Sequence, residues 1–187
     1  MRRLDLLPIG DVDLRALEQL GPQLAQQFHV AWDIVQPGLD PQFAYHAERQ
    51  QYHSTELLAR MHGYLEPNCW RLLGITNHDL YIPILTFVFG EAQMAGPAAV
   101  VSTHRLRQEF YGLAPHQNLH GERLLKEAVH ELGHTLDLRH CDDYRCAMAA
   151  SHAVEWIDLK ETGLCPACSE RTAPMLPQQK KVRARWF

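Results

Sequence analysis

The chain has 187 residues, 46% of them hydrophobic, with 18 lysines and arginines against 22 aspartates and glutamates. That is one domain with apolar residues enough for a sizeable core, and its formal net charge of -4 gives no basic field for nucleic acid or an anionic membrane. The opening MRRLDLLPIGDVDL is broken by Asp5, Pro8 and Asp11 where an export signal needs an apolar stretch, and the longest apolar run, Leu80 to Phe89, is about half of a membrane span.

The expectation is therefore a cytoplasmic monomer without a nucleic-acid or membrane partner. In that setting thiols stay reduced, and clustered cysteines more often hold metal than form disulfides.

Leu4 to Ile9 reads as a first strand. Asp11 or Asp13 can cap a helix running to about Phe28, with Leu14, Leu17, Leu20 and Leu24 on one face. His29 to Val35 (HVAWDIV) reads as a second strand. A polar loop from Pro37 to about Tyr52 precedes a helix opened by Ser54 and carrying Leu57, Leu58, Met61 and Leu65. Trp70 to Thr76, Leu85 to Glu91 and Ala98 to Thr103 read as three further strands between Asn, Asp, Gly and Pro turns. Strands alternating with helices, then closely spaced strands, give a mixed α/β (α+β) sheet with helices against it.

A last long helix is expected from Leu119 or Gly121 to Leu136. At 100° per residue Leu125, Ala128, Val129, Leu132 and Leu136 share one side, and His130 and His134 lie on roughly the opposite side, outside the core stripe. Imidazoles at i and i+4 can bind one ion, and Glu131 lies beside them within reach of a metal-bound water. HExxH alone is a weak signal. His140, six residues after His134, completes HExxHxxxxxH, which supplies a zinc ion with three protein ligands and one open position.

Cys141 and Cys146 form a Cx4C pair, and Cys165 and Cys168 a CxxC pair eighteen residues further on, the spacing of a structural zinc cage. A redox dithiol is the rival for CPAC, but the short segment after it has no strand and helix for a thioredoxin-like unit. Cys69, in PNCW, has no partner and is expected to be a buried thiol.

These residues resemble the metzincin metallopeptidases, whose signature is HExxHxxGxxH followed by a turn bearing methionine. More narrowly, HCDDYRCAM with CPAC further on looks like the archaemetzincins, and GITNHDLYIPILTFVFGEA and AAVVST look like that family's central strands. The resemblance implies a two-lobe zincin: a mixed twisted sheet with a backing helix and an active-site helix, and a small zinc-bound C-terminal lobe. It implies that His130, His134 and His140 bind a catalytic zinc, that Glu131 is the general base and Met148 the Met-turn residue, and that Cys141, Cys146, Cys165 and Cys168 bind a second, structural zinc. No tyrosine follows Met148, where some metzincins place a further ligand; the chain reads Met148, Ala149, Ala150.

On this reading residues 1–187 are one metallopeptidase domain, with an N-terminal subdomain 1–136, a C-terminal subdomain 137–175 and a basic disordered tail 176–187. Its function is hydrolysis of a peptide or protein substrate by a zinc-activated water. Two alternatives use the same residues: a zinc-dependent binding module without turnover, holding an anionic partner through Lys180, Lys181, Arg183 and Arg185, and a hydrolase of a non-peptide amide. The departure from the motif is Asp137 in place of glycine. A chain leaving its helix there turns through positive φ, which aspartate tolerates better than most residues, at a cost on the order of 1 kcal/mol.

Overall fold

The computed structural model describes residues 2–177. The strand β1 (Arg3–Ile9), helix α1 (Leu14–Phe28) and strand β2 (Ala31–Ile34) form a parallel crossover unit. Asp13 caps α1 by accepting from the Arg15 N–H, and His29 ends it in the left-handed conformation at φ 54. The expected strand His29–Val35 is shortened for that reason. Two short strands, β3 (Tyr45–His46) and β4 (Gln51–His53), occupy the end of the expected polar loop. Helix α2 (Ser54–Met61) follows, and it stops before Leu65 because the chain tightens into a 3-10 turn at His62–Tyr64.

Strand β5 (Cys69–Thr76) runs parallel to β1 on the side away from β2, and β6 (Leu80–Tyr81) joins β3 and β4 in a small second sheet. Strands β7 (Gly90–Ala92) and β8 (Ala98–Ser102) complete the main sheet, whose order is β2-β1-β5-β8-β7 with only β7 antiparallel. The expected strand Leu85–Glu91 is mostly absent. Leu85 closes a turn on Ile82, and the carbonyls of Leu85 and Thr86 accept from the Arg49 guanidinium and the Gln51 amide in place of a neighbouring strand. Helix α3 (Gln117–Thr135), α4 (Val154–Leu159) and α5 (Pro166–Thr172) end the described chain; the basic tail expected to be disordered lies, but for Leu176 and Pro177, outside these residues.

Alternation along the strands decides which helix goes to which face. Leu4, Leu6, Leu73, Ile75, Ala99 and Val101 bury against α1 and α3, while Leu7, Ile9, Leu72, Ala98 and Val100 bury against α2. Leu138, Cys146, Met148 and Cys168 form a separate small cluster near the C-terminus.

Helix α3 is buried without interruption from Arg123 to Gly133. Its leucine stripe faces the sheet as the periodicity requires, but His130 and Glu131 are also only 6% and 5% exposed. Both lie off the core stripe; the returning C-terminal segment covers His130 through Ala147, and strand β7 packs on Glu131 at Gly90. Arg123 helps fasten that segment, donating to both Asp158 oxygens at 2.7 and 2.6 Å and to the Leu106 carbonyl.

Gly21, inside α1, lies under the Trp32 ring, whose carbons would stand 2.3–2.6 Å from an added Cβ. Helix propensity alone gives Gly21→Ala a gain of about 1 kcal/mol; overpacking against an indole costs about 1–3 kcal/mol. We expect Gly21→Ala to destabilise the protein, read as a lower urea midpoint with unchanged slope; a raised midpoint would show that Trp32 moves aside freely.

Candidate metal centres

The α3 C-terminus is built as a helix stop that also orients His134. Asp137 sits at φ 60. The Leu138 N–H donates to the Gly133 carbonyl at 3.1 Å and the Asp137 N–H to the His134 carbonyl at 3.0 Å. This is the Schellman pairing, whose left-handed position favours glycine. The same turn aims the Leu138 carbonyl at His134 Nδ1, 2.7 Å away. His130 Nδ1 makes the equivalent bond, 2.8 Å to the Ala147 carbonyl. Carbonyls only accept, so both Nδ1 atoms carry the proton and both Nε2 atoms present lone pairs.

Those two Nε2 atoms stand 3.1 Å apart, and His140 brings a ligand atom to within 4.8 Å of both. Lone pairs that face each other at that distance repel unless a cation lies between them. Tetrahedral zinc bound at about 2.05 Å puts its nitrogens about 3.3 Å apart, so the three residues fit the ion. Burial, the largest influence on each, holds all three imidazoles below their ordinary pKa and hence neutral, the form that ligates a metal. Carbonyl anchoring of two rings fixes tautomer and orientation together.

Two glycines make room around this cluster. A Cβ on Gly133 would stand 2.2 Å from Met148 Sδ, so glycine here lets the buried Met148 close against the helix. A Cβ on Gly90 would stand 2.7 Å from Glu131 Cγ and 2.8 Å from Oε1, which places the Glu131 side chain against strand β7. Glu131, Glu127, Ser151 and His152 line a cavity of about 240 Å³ with the Leu85–Gly90 segment. Burial and the neighbouring Glu127 push the Glu131 carboxyl well above the usual carboxylate range.

Glu127 is paired with Lys160 at 3.2 Å, both side chains nearly inaccessible. The sequence reading missed Gly90, Gly133, Glu127 and Lys160. Only Gly133 left a signal, a glycine inside an otherwise well-formed helix.

Cys141, Cys146, Cys165 and Cys168 bring their sulfurs within 4.8 Å of one another, with Cys141 and Cys165 at 3.8 Å. Four thiolates around zinc at about 2.3 Å stand about 3.8 Å apart, so this donor set also fits the ion. Backbone N–H groups of Met148 and Cys165 donate to Cys146 Sγ. The Cys141 N–H donates to the Met148 carbonyl at 3.0 Å, so the cysteine cluster holds the backbone at Met148 directly. Cys69 is only partly buried, because it opens β5 at the sheet's end. Burial and Asp5 still push its thiol up to about 12, away from the reactive range.

Because Asp137 is exposed and tolerates φ 60 at modest cost, Asp137→Gly should leave stability unchanged or raise it by up to about 1 kcal/mol. Asp137→Val should cost more, since a β-branched side chain disfavours positive φ. It should also loosen the metal, because the turn carries the Leu138 carbonyl that orients His134. Zinc titration with thermal melts checks both; equal behaviour of glycine and valine would refute the turn's role.

The model of peptidase family M54 matches residues 42–173. The archaemetzincin of Methanocaldococcus jannaschii is 38% identical over 170 residues, 90% of this chain and 92% of the relative. Among solved structures, the archaemetzincin of Archaeoglobus fulgidus complexed with malonate has a TM-score of 0.78 at 34% identity, covering 90% of this chain and 99% of that one. That of Methanopyrus kandleri reaches 0.79 at 33% identity over 94% and 95%. The chain belongs to peptidase family M54, the archaemetzincins, a family of zinc metallopeptidases.

Proposed function

We propose that this chain hydrolyses peptide bonds with one zinc held by His130, His134 and His140, that Glu131 is its general base, and that a second, structural zinc sits in the four-cysteine cage. The observation that carries the reading is the convergence of the His130 and His134 Nε2 lone pairs, each ring fixed by a backbone carbonyl, on the helix that carries Glu131. Ordinary core packing has no use for two facing lone pairs.

Zinc in that site would polarise a carbonyl and make a water molecule more acidic. Glu131 accepts a proton from the attacking water and returns it to the departing amine. Burial raises the proton affinity of this carboxyl, the direction a general base needs. Strand β7 ends the main sheet, and its backbone is the edge along which a peptide would extend by strand addition. Gly90 of that edge lies against Glu131, which would bring a strand-paired substrate beside the carboxylate.

Met148 closes the floor beneath the histidines. Residues 1–136 and 137–175 serve as the two lobes of one domain. We take the setting as cytoplasmic and the acting unit as a monomer.

Glu131→Gln keeps size and shape but cannot take the proton. Zinc content and melting temperature should stay near those of the parent protein, and peptide hydrolysis should fall about 100-fold to 10,000-fold. His134→Ala should lose zinc and activity together. Metal analysis beside a peptide-library digest tests the pair; hydrolysis by Glu131→Gln at the parental rate would overturn the assignment and favour the binding-module reading.

The cage makes a different demand. Cys168→Ser should lower the melting temperature by about 6–10 °C and reduce zinc content from two ions toward one. An unchanged melting temperature with two ions retained would remove the structural-zinc assignment.

A further inference from the structure

Helix α4 has two apolar sides, and the fold uses one. Val154 and Ile157 turn inward and are buried, as is Lys160 after them. Trp156 and Leu159, three apart and so neighbours on the opposite side, stay 51% and 62% exposed. Tyr144, on the loop between Cys141 and Cys146, is 67% exposed. These three large side chains wall a depression of about 230 Å³ with Cys141, Ala149 and Ala150 between them. That volume admits one large side chain and no folded element.

The depression borders the cavity that holds Glu131. Four consecutive residues divide between the two: Ala149 and Ala150 line the depression, Ser151 and His152 the cavity. His152 is the rim between them. It is exposed, and its ring meets that of Trp156 edge to face at 5.4 Å and 71°. A peptide that lies between β7 and the Ser151–His152 segment, and continues past His152, meets the indole next. At about 3.3 Å per extended residue the step takes about two to four residues.

The lining selects an apolar occupant. Contiguous exposed apolar side chains mark an interaction surface, and tryptophan and tyrosine give such surfaces large contact area for little lost freedom. Asp142 adds a carboxylate to the lining, which repels an acidic residue beside the occupant. Continuity with the Glu131 cavity through His152 assigns the surface to the chain being cleaved.

We propose, on the peptidase reading of the histidine cluster, that Tyr144, Trp156 and Leu159 form a substrate subsite for an aromatic or long aliphatic side chain about two to four residues from the bond to be cut, with no acidic residue beside it. The zinc-loaded protein is given quenched-fluorescence peptides identical but for one position, moved stepwise from the cleavage site, that carries phenylalanine or glycine. At one of those positions the phenylalanine peptide should have a kcat/KM about 10-fold higher, and glutamate placed next to that phenylalanine should remove most of the preference. Trp156→Ala should bring the phenylalanine-to-glycine ratio close to one, with zinc content and melting temperature near the parental values.

Leu159→Ala should lower the ratio about threefold while leaving the His152–Trp156 contact in place, and Tyr144→Ala provides the same reading should Trp156→Ala fail to fold. Leu14→Ala, at an exposed leucine of α1, should leave the ratio at its parental value. Phenylalanine and glycine peptides cleaved alike by the parent protein, or a preference that survives Trp156→Ala and Leu159→Ala, overturn the subsite while the peptidase reading stands. A dimer in sedimentation that Trp156→Ala dissolves, with the ratio unmoved, overturns it in favour of a second copy on the patch. No cleavage of any peptide by the fully zinc-loaded protein removes the subsite and the peptidase reading together.

Discussion

Two backbone carbonyls govern the candidate centre. Ala147 and Leu138 each accept the Nδ1 proton of a histidine on α3, and neither carbonyl could be there unless the chain after the helix had already turned back. The imidazoles are thus oriented by the fold of the segment they would help a metal to hold. Such second contacts set tautomer, ring plane and basicity together, so the shape of the site depends on the helix stop at Asp137 and on the return through Ala147 as much as on the ligands.

The return segment is in turn tied down at several independent places. The cysteine cluster fixes both ends of the loop from Cys141 to Cys168, and the Cys141 N–H binds the Met148 carbonyl. Lys160 reaches Glu127, and Asp158 accepts the Arg123 fork. Breaking a buried ion pair by removing one partner costs several kcal/mol, so these contacts oppose local opening where a small lobe with few apolar residues would otherwise fray. The small cluster of Leu138, Cys146, Met148 and Cys168 could not supply that cohesion by apolar burial alone.

Glycine has a specific use at two points of this arrangement. Gly133 sits where Met148 sulfur presses on the helix, and Gly90 where the Glu131 side chain presses on β7. Both are tolerances of closeness rather than of backbone angle. Only a residue without a side chain lets β7 come so near the Glu131 carboxyl.

Much of this was legible in the chain itself. The spacing of His130, His134 and His140 and of the four cysteines requires nothing beyond helix geometry and ligand chemistry, and the likeness of HCDDYRCAM to the archaemetzincins names the family. The positive φ at Asp137 followed from the motif's glycine. Local pattern placed the leucine stripe of α3, a cap at Asp11 or Asp13, of which the structure uses Asp13, and the strands at β1, β5 and β8, because each of these is decided by neighbours within about a turn.

What the tertiary structure alone decided were features set by distant contacts. Leu85 to Phe89 has the composition of a strand, yet the carbonyls of Leu85 and Thr86 are taken by Arg49 and Gln51, some 35 residues away, and pairing goes to whichever donor arrives. His130 lies off the core stripe and is nonetheless buried, because the face that periodicity assigns to solvent is covered by a later segment. The Glu127–Lys160 pair joins residues 33 apart. Local sequence carries propensity and spacing; which surface covers which is fixed only when the whole chain has closed on itself.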